Sequence, residues 1–106
     1  MKKLSVIIPT YKRSSSVLRL LKSIDEQLFD LEKIEVLVVS NFKDIDLEKA
    51  LKKASFSSVN PQLHIANKAG VNASRNKGIL LSQGQYSLLL DDDCLLHEKK
   101  YLQQVI

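Results

Sequence analysis

Apolar runs of strand length alternate with amphipathic segments along this chain. The apolar runs span residues 4–8, 35–39, 63–66 and 86–90, and apolar positions recur with a helical period between them, at residues 14–28, 46–54 and 71–82. Strands that alternate with helices predict an α/β fold, here a Rossmann-like, doubly wound parallel sheet with helices on both faces. A chain of 106 residues is long enough for one such domain.

Candidate N-cap residues and the positions of apolar residues indicate where the predicted helices begin and which face packs on the sheet. Serines 14–16 are candidate N-caps for the first helix, and Asp46 is the candidate cap for the second. Gly78 weakens the third helix and is suited to close packing of that helix on the sheet. In the first two helices the apolar residues share one face, which predicts that they cover the sheet.

Polar side chains cluster where each predicted strand ends. Because the carboxyl ends of parallel strands meet at one edge of a sheet, we expect these side chains to converge on one ligand cleft. They are Thr10, Tyr11 and Arg13 after strand one, Ser40 and Asn41 after strand two, Asn67 and Lys68 after strand three, and Asp91, Asp92 and Asp93 after strand four.

The run Asp91-Asp92-Asp93 follows an apolar strand directly. Three adjacent carboxylates repel one another and are costly to bury unpaired, so we expect them at the solvent-facing end of the strand with a cation nearby. Hard oxygen ligands suit Mg²⁺ or Mn²⁺, and Mg²⁺ usually completes its shell with water and phosphate oxygens. The run therefore predicts a metal site for a phosphorylated substrate, and a solvated acidic turn is the alternative interpretation.

The composition of the chain and the motifs that it lacks limit the kinds of ligand that it could bind. The excess of 16 lysines and arginines over 12 acidic residues favours anionic ligands, but the basic residues are scattered and no nucleic-acid motif is present. The single cysteine, Cys94, excludes an internal disulfide and fits a cytoplasmic protein, and no apolar run approaches the length of a membrane span. No Gly-rich dinucleotide or P-loop motif occurs, so phosphate charge must be met by metal and by side chains such as Arg75.

Three spaced motifs together resemble the inverting glycosyltransferases of family 2, which have the GT-A fold. Residues 6–13, Val-Ile-Ile-Pro-Thr-Tyr-Lys-Arg, resemble the family's first strand and following loop, and residues 73–79 resemble its Ala-Arg-Asn-x-Gly segment. Residues 84–86 lead into a strand that ends in Asp91-x-Asp93, which is similar to the family's Asp-x-Asp. The resemblance covers roughly residues 4–95 and implies the strand order 3-2-1-4.

The resemblance also implies roles for individual residues. Asp93 would bind a divalent cation, Mn²⁺ or Mg²⁺, that bridges the two phosphates of a nucleotide-sugar donor, most simply a UDP-sugar. Asp91 would contact the ribose or assist the metal, and Arg75 would approach the base or diphosphate unless it is a solvated helix arginine. The implied nucleotide-binding residues are Pro9, Thr10, Tyr11, Arg13, Asn41, Arg75, Asp91 and Asp92, and the implied metal ligands are Asp93 and Asp91.

Two departures from the family pattern affect this prediction. The family commonly has Asp-Asp-Gly-Ser after strand two, where the second Asp binds the base, whereas this chain has Ser40-Asn41-Phe42-Lys43. An amide can still exchange hydrogen bonds with a base edge. The family's acceptor-binding half and general base also come well after Asp-x-Asp, so residues 1–106 are expected to form a nucleotide-sugar-binding domain truncated before that half, in which the catalytic base is unknown.

Two other functions remain open on the sequence alone. A non-catalytic nucleotide-sugar-binding module would keep the cleft without transferring sugar. A phosphatase of the haloacid dehalogenase type would use Asp91 as nucleophile and Asp93 as acid, although that motif normally lies on the first strand of its fold.

The predicted fourth strand is also a candidate interface. In the family fold it would be an edge strand here, apolar on both faces, and such an edge pairs readily with another chain. The apolar C-terminal residues would belong to a helix with little of its own domain to cover. They are Leu95, Leu96, Tyr101, Leu102, Val105 and Ile106. We therefore expect self-association through residues 86–90 and this segment. For a full-length enzyme we expect a cytoplasmic setting, including the inner face of the membrane.

Overall fold

A computed structural model describes residues 2–68 and 70–105, which form a four-stranded sheet flanked by helices. Most elements begin and end within one or two residues of the predicted limits. In chain order they are β1 (Leu4–Thr10), α1 (Ser14–Asp25), a 3-10 turn (Leu31–Lys33), β2 (Ile34–Ser40), α2 (Ile45–Lys53), β3 (Gln62–Ile65), α3 (Val71–Leu81), β4 (Tyr86–Leu89) and α4 (Tyr101–Val105).

The four strands are parallel and lie in the order β3-β2-β1-β4, which confirms the expected fold. Val6 of β1 pairs with Val36 of β2 on one side and with Leu88 of β4 on the other. Every residue of β1 and β2 is buried, because helices cover both faces of these central strands. All four strands therefore end at the same edge of the sheet.

Each face of the sheet has its own apolar layer. Val6 and Val36 belong to the larger layer, with α1, α2 and α4, whereas Ile7 and Leu37 lie on the opposite face beneath α3. Gly78 lets α3 approach closely, since a Cβ atom there would collide with the side chain of Ile7. The close packing expected of Gly78 is confirmed.

A buried polar network fixes the turn before β4 to the amino ends of β1 and β2. The carboxylate of Glu35 accepts hydrogen bonds from Ser5 Oγ, at 2.6 Å, and from the backbone N–H of Gln83. Ser5 Oγ in turn accepts one from the backbone N–H of Gly84, at 2.8 Å. The network fixes the position at which β4 begins and, five residues later, the position of the aspartates.

The predicted helix caps were wrong in two helices. Asp44, not Asp46, caps α2, because its carboxylate accepts a hydrogen bond from the backbone N–H of Leu47 at 3.1 Å. Serines 14–16 lie inside α1, and Arg13 occupies the N-cap position without a side-chain cap. The turn after β1 is tighter than the serines suggested, so α1 begins earlier.

The C-terminal segment packs against its own domain, which corrects the expectation that it has little to cover. Leu102 is fully buried in the larger apolar layer, and Leu96 and Tyr101 pack against that layer. The side chain of Gln27 donates a hydrogen bond to the carbonyl of Glu98 at 2.7 Å and accepts one from the backbone N–H of Leu102 at 2.9 Å. Only five residues, Tyr101–Val105, are helical. Ile106, part of the same prediction, lies outside the described residues.

Across residues 2–68 and 70–105, every helix is too short or too polar to cross a membrane.

Candidate functional site

A cavity of about 630 Å³ opens at the carboxyl edge of the sheet. It is lined by Pro9, Thr10, Tyr11, Arg13, Asn41, Gly70, Val71, Asp91, Asp92 and Asp93. Every residue predicted for nucleotide or metal binding lines it, except Arg75. Sequence reasoning missed Gly70 and Val71, whose only signal is that they follow the third strand.

Asp92 is the anchor of the acidic run. Its side chain is 12% exposed, and its Oδ2 accepts a hydrogen bond from Thr10 Oγ1 at 2.8 Å. Arg13 Nη1 lies 3.8 Å from Asp92 Oδ1, and a backbone hydrogen bond from Cys94 to Asp91 closes the turn at 3.0 Å. Asp92 thus fastens the turn after β4 to the end of β1, a role that the motif did not indicate.

Asp91 and Asp93, by contrast, extend into solvent at the cavity rim, with side chains 66% and 65% exposed. Arg75 Nη2 lies 3.5 Å from Asp91 Oδ1, and Arg13 Nη1 lies 3.9 Å from Asp93 Oδ2. Arg75 therefore reaches the site through its ion pair without lining the cavity. Exposed ion pairs of this length contribute little to stability, so these carboxylates can exchange partners easily.

The carboxylates suit a divalent cation that is shared with a ligand. Within the described ranges, no group of three or more His, Cys, Asp or Glu side chains is arranged to hold a metal ion. Asp91 and Asp93 supply hard carboxylate oxygens at the rim, and Mg²⁺ commonly takes one or two protein carboxylates together with water and phosphate oxygens. The donor set fits such a cation if a phosphate ligand supplies further oxygens.

Two helices begin at the cavity without side-chain caps. Arg13 at the start of α1 and Gly70 at the start of α3 both line the cavity, and neither helix has an acidic residue in its first turn. The start of α2 lies outside this cavity, and Asp44 caps it. Uncapped N–H groups and the positive end of the helix dipole favour a negatively charged ligand.

The ring of Tyr11 lines the cavity and packs against Phe42, which lies outside it. The ring of Tyr11 is 5.5 Å from that of Phe42, centroid to centroid, and the Lys12 ammonium lies 5.3 Å from the Tyr11 centroid. Lys12 adopts a left-handed conformation with φ 53°, which places it beside both rings. Tyr11 remains 56% exposed, so its ring offers a flat apolar surface to a planar ligand. Sequence reasoning did not identify Phe42.

Asn41 links two elements at the cavity. Its side-chain Nδ2 donates hydrogen bonds to the carbonyls of Lys68 and Gly70, at 2.8 Å and 2.7 Å. Gly70 has φ 99°, a conformation that glycine adopts without strain. The residue that replaces the family's base-binding aspartate is therefore bonded to the connection between β3 and α3.

Residues 5–106 match the family model for glycosyl transferase family 2. The chain belongs to glycosyl transferase family 2. The match includes all three motifs and the segment after the aspartates. Family membership favours glycosyl transfer over the phosphatase alternative, and Asp91 follows the edge strand β4 rather than the first strand, where a haloacid dehalogenase motif normally lies.

Individual proteins are similar to this chain in sequence or in structure. Glycosyltransferase AglE of Haloferax volcanii is 32% identical over 96 residues, which are 90% of this chain and 32% of AglE. The crystal structure of S. aureus TarS 1-349 superposes with a TM-score of 0.77 at 26% identity, covering 97% of this chain and 31% of that one. This chain therefore spans about a third of the length of these proteins.

A more distant structure shares the fold. The mannosyltransferase PcManGT from Pyrobaculum calidifontis, in complex with GDP-Man and Mn²⁺, superposes with a TM-score of 0.83 at 22% identity. The superposition covers 94% of this chain and 30% of that one. The parallel sheet with order 3-2-1-4 is thus the GT-A arrangement.

Proposed function

We propose that this chain is the nucleotide-sugar-binding part of a family 2 glycosyltransferase. The observation that carries the proposal is the cavity at the carboxyl edge of the sheet, which is lined both by the exposed carboxylates of Asp91 and Asp93 and by the exposed aromatic ring of Tyr11. A nucleoside diphosphate has a planar base at one end and a charged diphosphate at the other, which matches this division.

The base would lie against Tyr11, next to Pro9 and Asn41. The diphosphate would lie toward the aspartates and the uncapped starts of α1 and α3, where Arg13 supplies positive charge. Asp92 would act mainly by holding the turn in place through Thr10. Arg75 would contact the diphosphate by exchanging its weak ion pair with Asp91 for a phosphate oxygen.

Asp93 and Asp91 would hold the divalent cation. A bound Mn²⁺ or Mg²⁺ would offset the repulsion between these carboxylates and the diphosphate and would stabilise the departing nucleoside diphosphate. The protein's own contribution is to fix the carboxylates at the rim by means of the half-buried Asp92 and the network around Glu35.

The reaction of the whole enzyme would transfer the sugar to an acceptor hydroxyl with inversion. The acceptor oxygen forms a bond to the anomeric carbon as the bond from that carbon to the diphosphate breaks, and the hydroxyl proton passes to a base. Among the described residues, only the three aspartates bring carboxylates to the cavity, and each is already assigned to holding the turn or the donor. We therefore expect this chain alone to bind the donor without turnover.

Complexes of TarS support a uridine nucleotide as the first ligand to test. TarS 1-349 has been crystallised with UDP and with UDP-GlcNAc, and it is 26% identical to this chain. A UDP-sugar is therefore the proposed donor. A non-catalytic module would bind the same donor, and multiple turnovers with an added acceptor would separate the two functions.

Calorimetric titration with UDP, with and without Mn²⁺, tests the proposal. We expect binding that depends on Mn²⁺, and Asp93→Asn should weaken it about tenfold or more, or about 1.4 kcal/mol. Asp46→Asn is the matched control, because Asp46 is exposed in the first turn of α2 and does not line the cavity. Equal UDP affinity with and without Mn²⁺, or an unaffected Asp93→Asn variant, would contradict the metal site.

We also propose that the chain self-associates through β4. This strand lies at the edge of the sheet, and its residues Tyr86 and Leu89 are 54% and 44% exposed, one on each face. Leu95 and Val105 add exposed apolar surface nearby in sequence, although Leu102 is covered by the chain's own core. Sedimentation over a wide concentration range tests this, and Leu89→Lys should shift the distribution toward monomer. A wild-type monomer at high concentration would contradict it.

A further inference from the structure

We propose that Asn41 is a positioning residue whose side-chain amide holds the connection between β3 and α3 against the end of β2. Both amide hydrogens are used, one on the carbonyl of Lys68 and one on that of Gly70, at 2.8 Å and 2.7 Å. Gly70 and Val71 form a wall of the cavity. The hydrogen bonds of Asn41 thus set the position of that wall.

The chemistry of the two partners fixes the orientation of the amide. Backbone carbonyls only accept hydrogen bonds, so the nitrogen of Asn41 must face both of them. An ionised aspartate at position 41 would place a carboxylate against two carbonyl oxygens with no proton between them. Asparagine therefore suits this connection better than an ionised aspartate would.

The effect of Asn41 extends across the cavity through α3. Gly70 is the N-cap residue of α3, so a bond to its carbonyl also fixes the first turn of that helix. Four residues after Val71, the same helix carries Arg75, whose guanidinium pairs with Asp91 at 3.5 Å. Asn41, directly after β2, is in this way connected to the acidic run after β4.

The same hydrogen bonds restrict what Asn41 can offer a ligand. With both amide hydrogens used, the remaining capacity of the side chain is acceptance at Oδ1. A base that presents a ring N–H at its pairing edge, such as uracil or guanine, meets that acceptor better than cytosine, whose ring nitrogen there is itself an acceptor. This consequence rests on the proposed function, whereas the structural role of Asn41 does not.

Hydrogen exchange in the connection, measured by NMR, tests the structural role. Asn41→Ala and Asn41→Asp should both accelerate exchange of the Ala66 amide about tenfold or more at neutral pH, after correction for intrinsic exchange. The N–H of Ala66 donates to the carbonyl of Ser40 at 2.8 Å where the connection leaves β3, so its exchange reports on how firmly the connection is held. At about pH 4 the carboxyl of Asn41→Asp gains a proton that can be donated, so its protection should recover in part. Asn41→Ala cannot recover, because it has no proton to donate.

Comparing Asn41→Ala with Asn41→Asp separates the effect of protonation at position 41 from the effects of pH on other groups. Arg13, Asp91, Asp92 and Asp93 share the cavity with Asn41, and Lys68 lies in the connection itself, but all five are the same in both variants. Wild-type exchange in both variants at neutral pH would overturn the proposal. Identical behaviour of the two variants at pH 4, with wild type still protected, would also overturn it, because a general loss of packing predicts no rescue by protons.

Nucleotide titration tests the consequence for ligands. With Mn²⁺ present, UDP should bind wild type about tenfold more tightly than CDP, a typical effect of one mismatched hydrogen bond. Equal affinity for the two nucleotides would overturn the base preference and leave the proposed function intact. If neither nucleotide binds, the proposed function fails, while the exchange experiment still decides the structural role.

Discussion

The two ends of the sheet differ in whether their polar side chains are buried and bonded or exposed and weakly paired. At the amino end, Glu35 and Ser5 are buried and bonded to each other and to the turn before β4. At the carboxyl end, Asp91 and Asp93 are exposed and have only long ion pairs. Buried, mutually satisfied groups specify the fold, whereas exposed and weakly paired groups are available to a ligand. Substitutions at the amino end should therefore affect stability, and those at the carboxyl end should affect binding.

Gly84→Ala should have the largest effect. A Cβ atom there would lie 2.6 Å from the backbone nitrogen of Ser5 and 2.7 Å from the carbonyl carbon of Leu4, and the backbone of β1 cannot move aside. We expect a loss of about 3 kcal/mol or more in the free energy of unfolding, measured with urea. Gln85→Ala, one residue away and exposed, is the control and should change little. Equal stabilities would show that the turn does not pack against β1.

Glu35→Ala should cost about 2 to 3 kcal/mol in the same measurement, because it leaves buried donors from Ser5 and Gln83 without an acceptor. Glu35→Gln keeps one acceptor oxygen and should cost less. UDP binding should persist in both variants under conditions where they are folded. A variant that binds poorly but unfolds like wild type would contradict the division between the two ends.

Asp92→Ala and Asp93→Ala should separate the roles within the acidic run. Loss of Asp92 removes the acceptor for Thr10 and should lower the free energy of unfolding by about 1 kcal/mol. Loss of Asp93 should leave unfolding within about 0.5 kcal/mol of wild type and affect metal-dependent binding instead. Thermal unfolding without ligand measures both, and the reverse order of effects would refute the assignment of Asp92 as the anchor.

Loss of Asp25 should have a smaller effect on the free energy of unfolding, and this effect should depend on pH. Partial burial raises its pKa, but hydrogen bonds from the backbone N–H groups of Val59, Ser58 and Ser57 outweigh burial and hold the pKa below its ordinary value of 3.8. A lowered folded-state pKa stabilises the fold above pH 3.8, and this contribution is lost as the pH falls through the folded pKa.

Asp25→Ala should therefore cost about 1 kcal/mol at neutral pH, a modest figure because the group is largely solvated. The difference from wild type should shrink as the pH falls below 3.8, in denaturant titrations at several pH values. Glu26→Ala, at the neighbouring exposed position, is the control. A difference that is independent of pH would rule out an ionised Asp25 as the source.

Ser74→Ala should have the smallest effect. The hydroxyl of Ser74 is fully buried in α3 and has no hydrogen-bond partner among the described residues, so its removal leaves nothing unpaired. We expect stability unchanged or raised by up to about 1 kcal/mol in urea unfolding. Ser74→Val, which adds volume where α3 approaches the sheet, should be destabilising by comparison. A clear loss of stability in Ser74→Ala would indicate a partner for the hydroxyl.

The sequence was sufficient for the sheet and for most of the cavity, because both follow from periodicity and from the parallel strand order. Apolar runs located the strands, and the polar residues after them had to meet at one edge. Contacts between distant parts of the chain were harder to foresee. The bond from Thr10 to Asp92 joins residues 82 positions apart, and no local pattern distinguishes Asp92 from its neighbours.

Local capping signals also gave a wrong prediction where the geometry of a loop determines which residue begins the helix. Three serines before an apolar face are typical of an N-cap, yet the turn after β1 brings Arg13 to that position. The C-terminal tail was misjudged for a similar reason. Its attachment depends on the side chain of Gln27, a polar residue that pattern analysis places at the surface but that is buried here.

The position of β1 has a consequence for biosynthesis. Of the four strands, this one is translated first and lies inside the sheet, yet one of its neighbours, β4, begins at Tyr86. One edge of an apolar strand therefore stays unpaired while most of the chain is translated. Contacts this distant in sequence form slowly, and unpaired strand edges favour aggregation. On the ribosome, the cavity at the carboxyl edge cannot assemble until the aspartates that follow β4 have emerged.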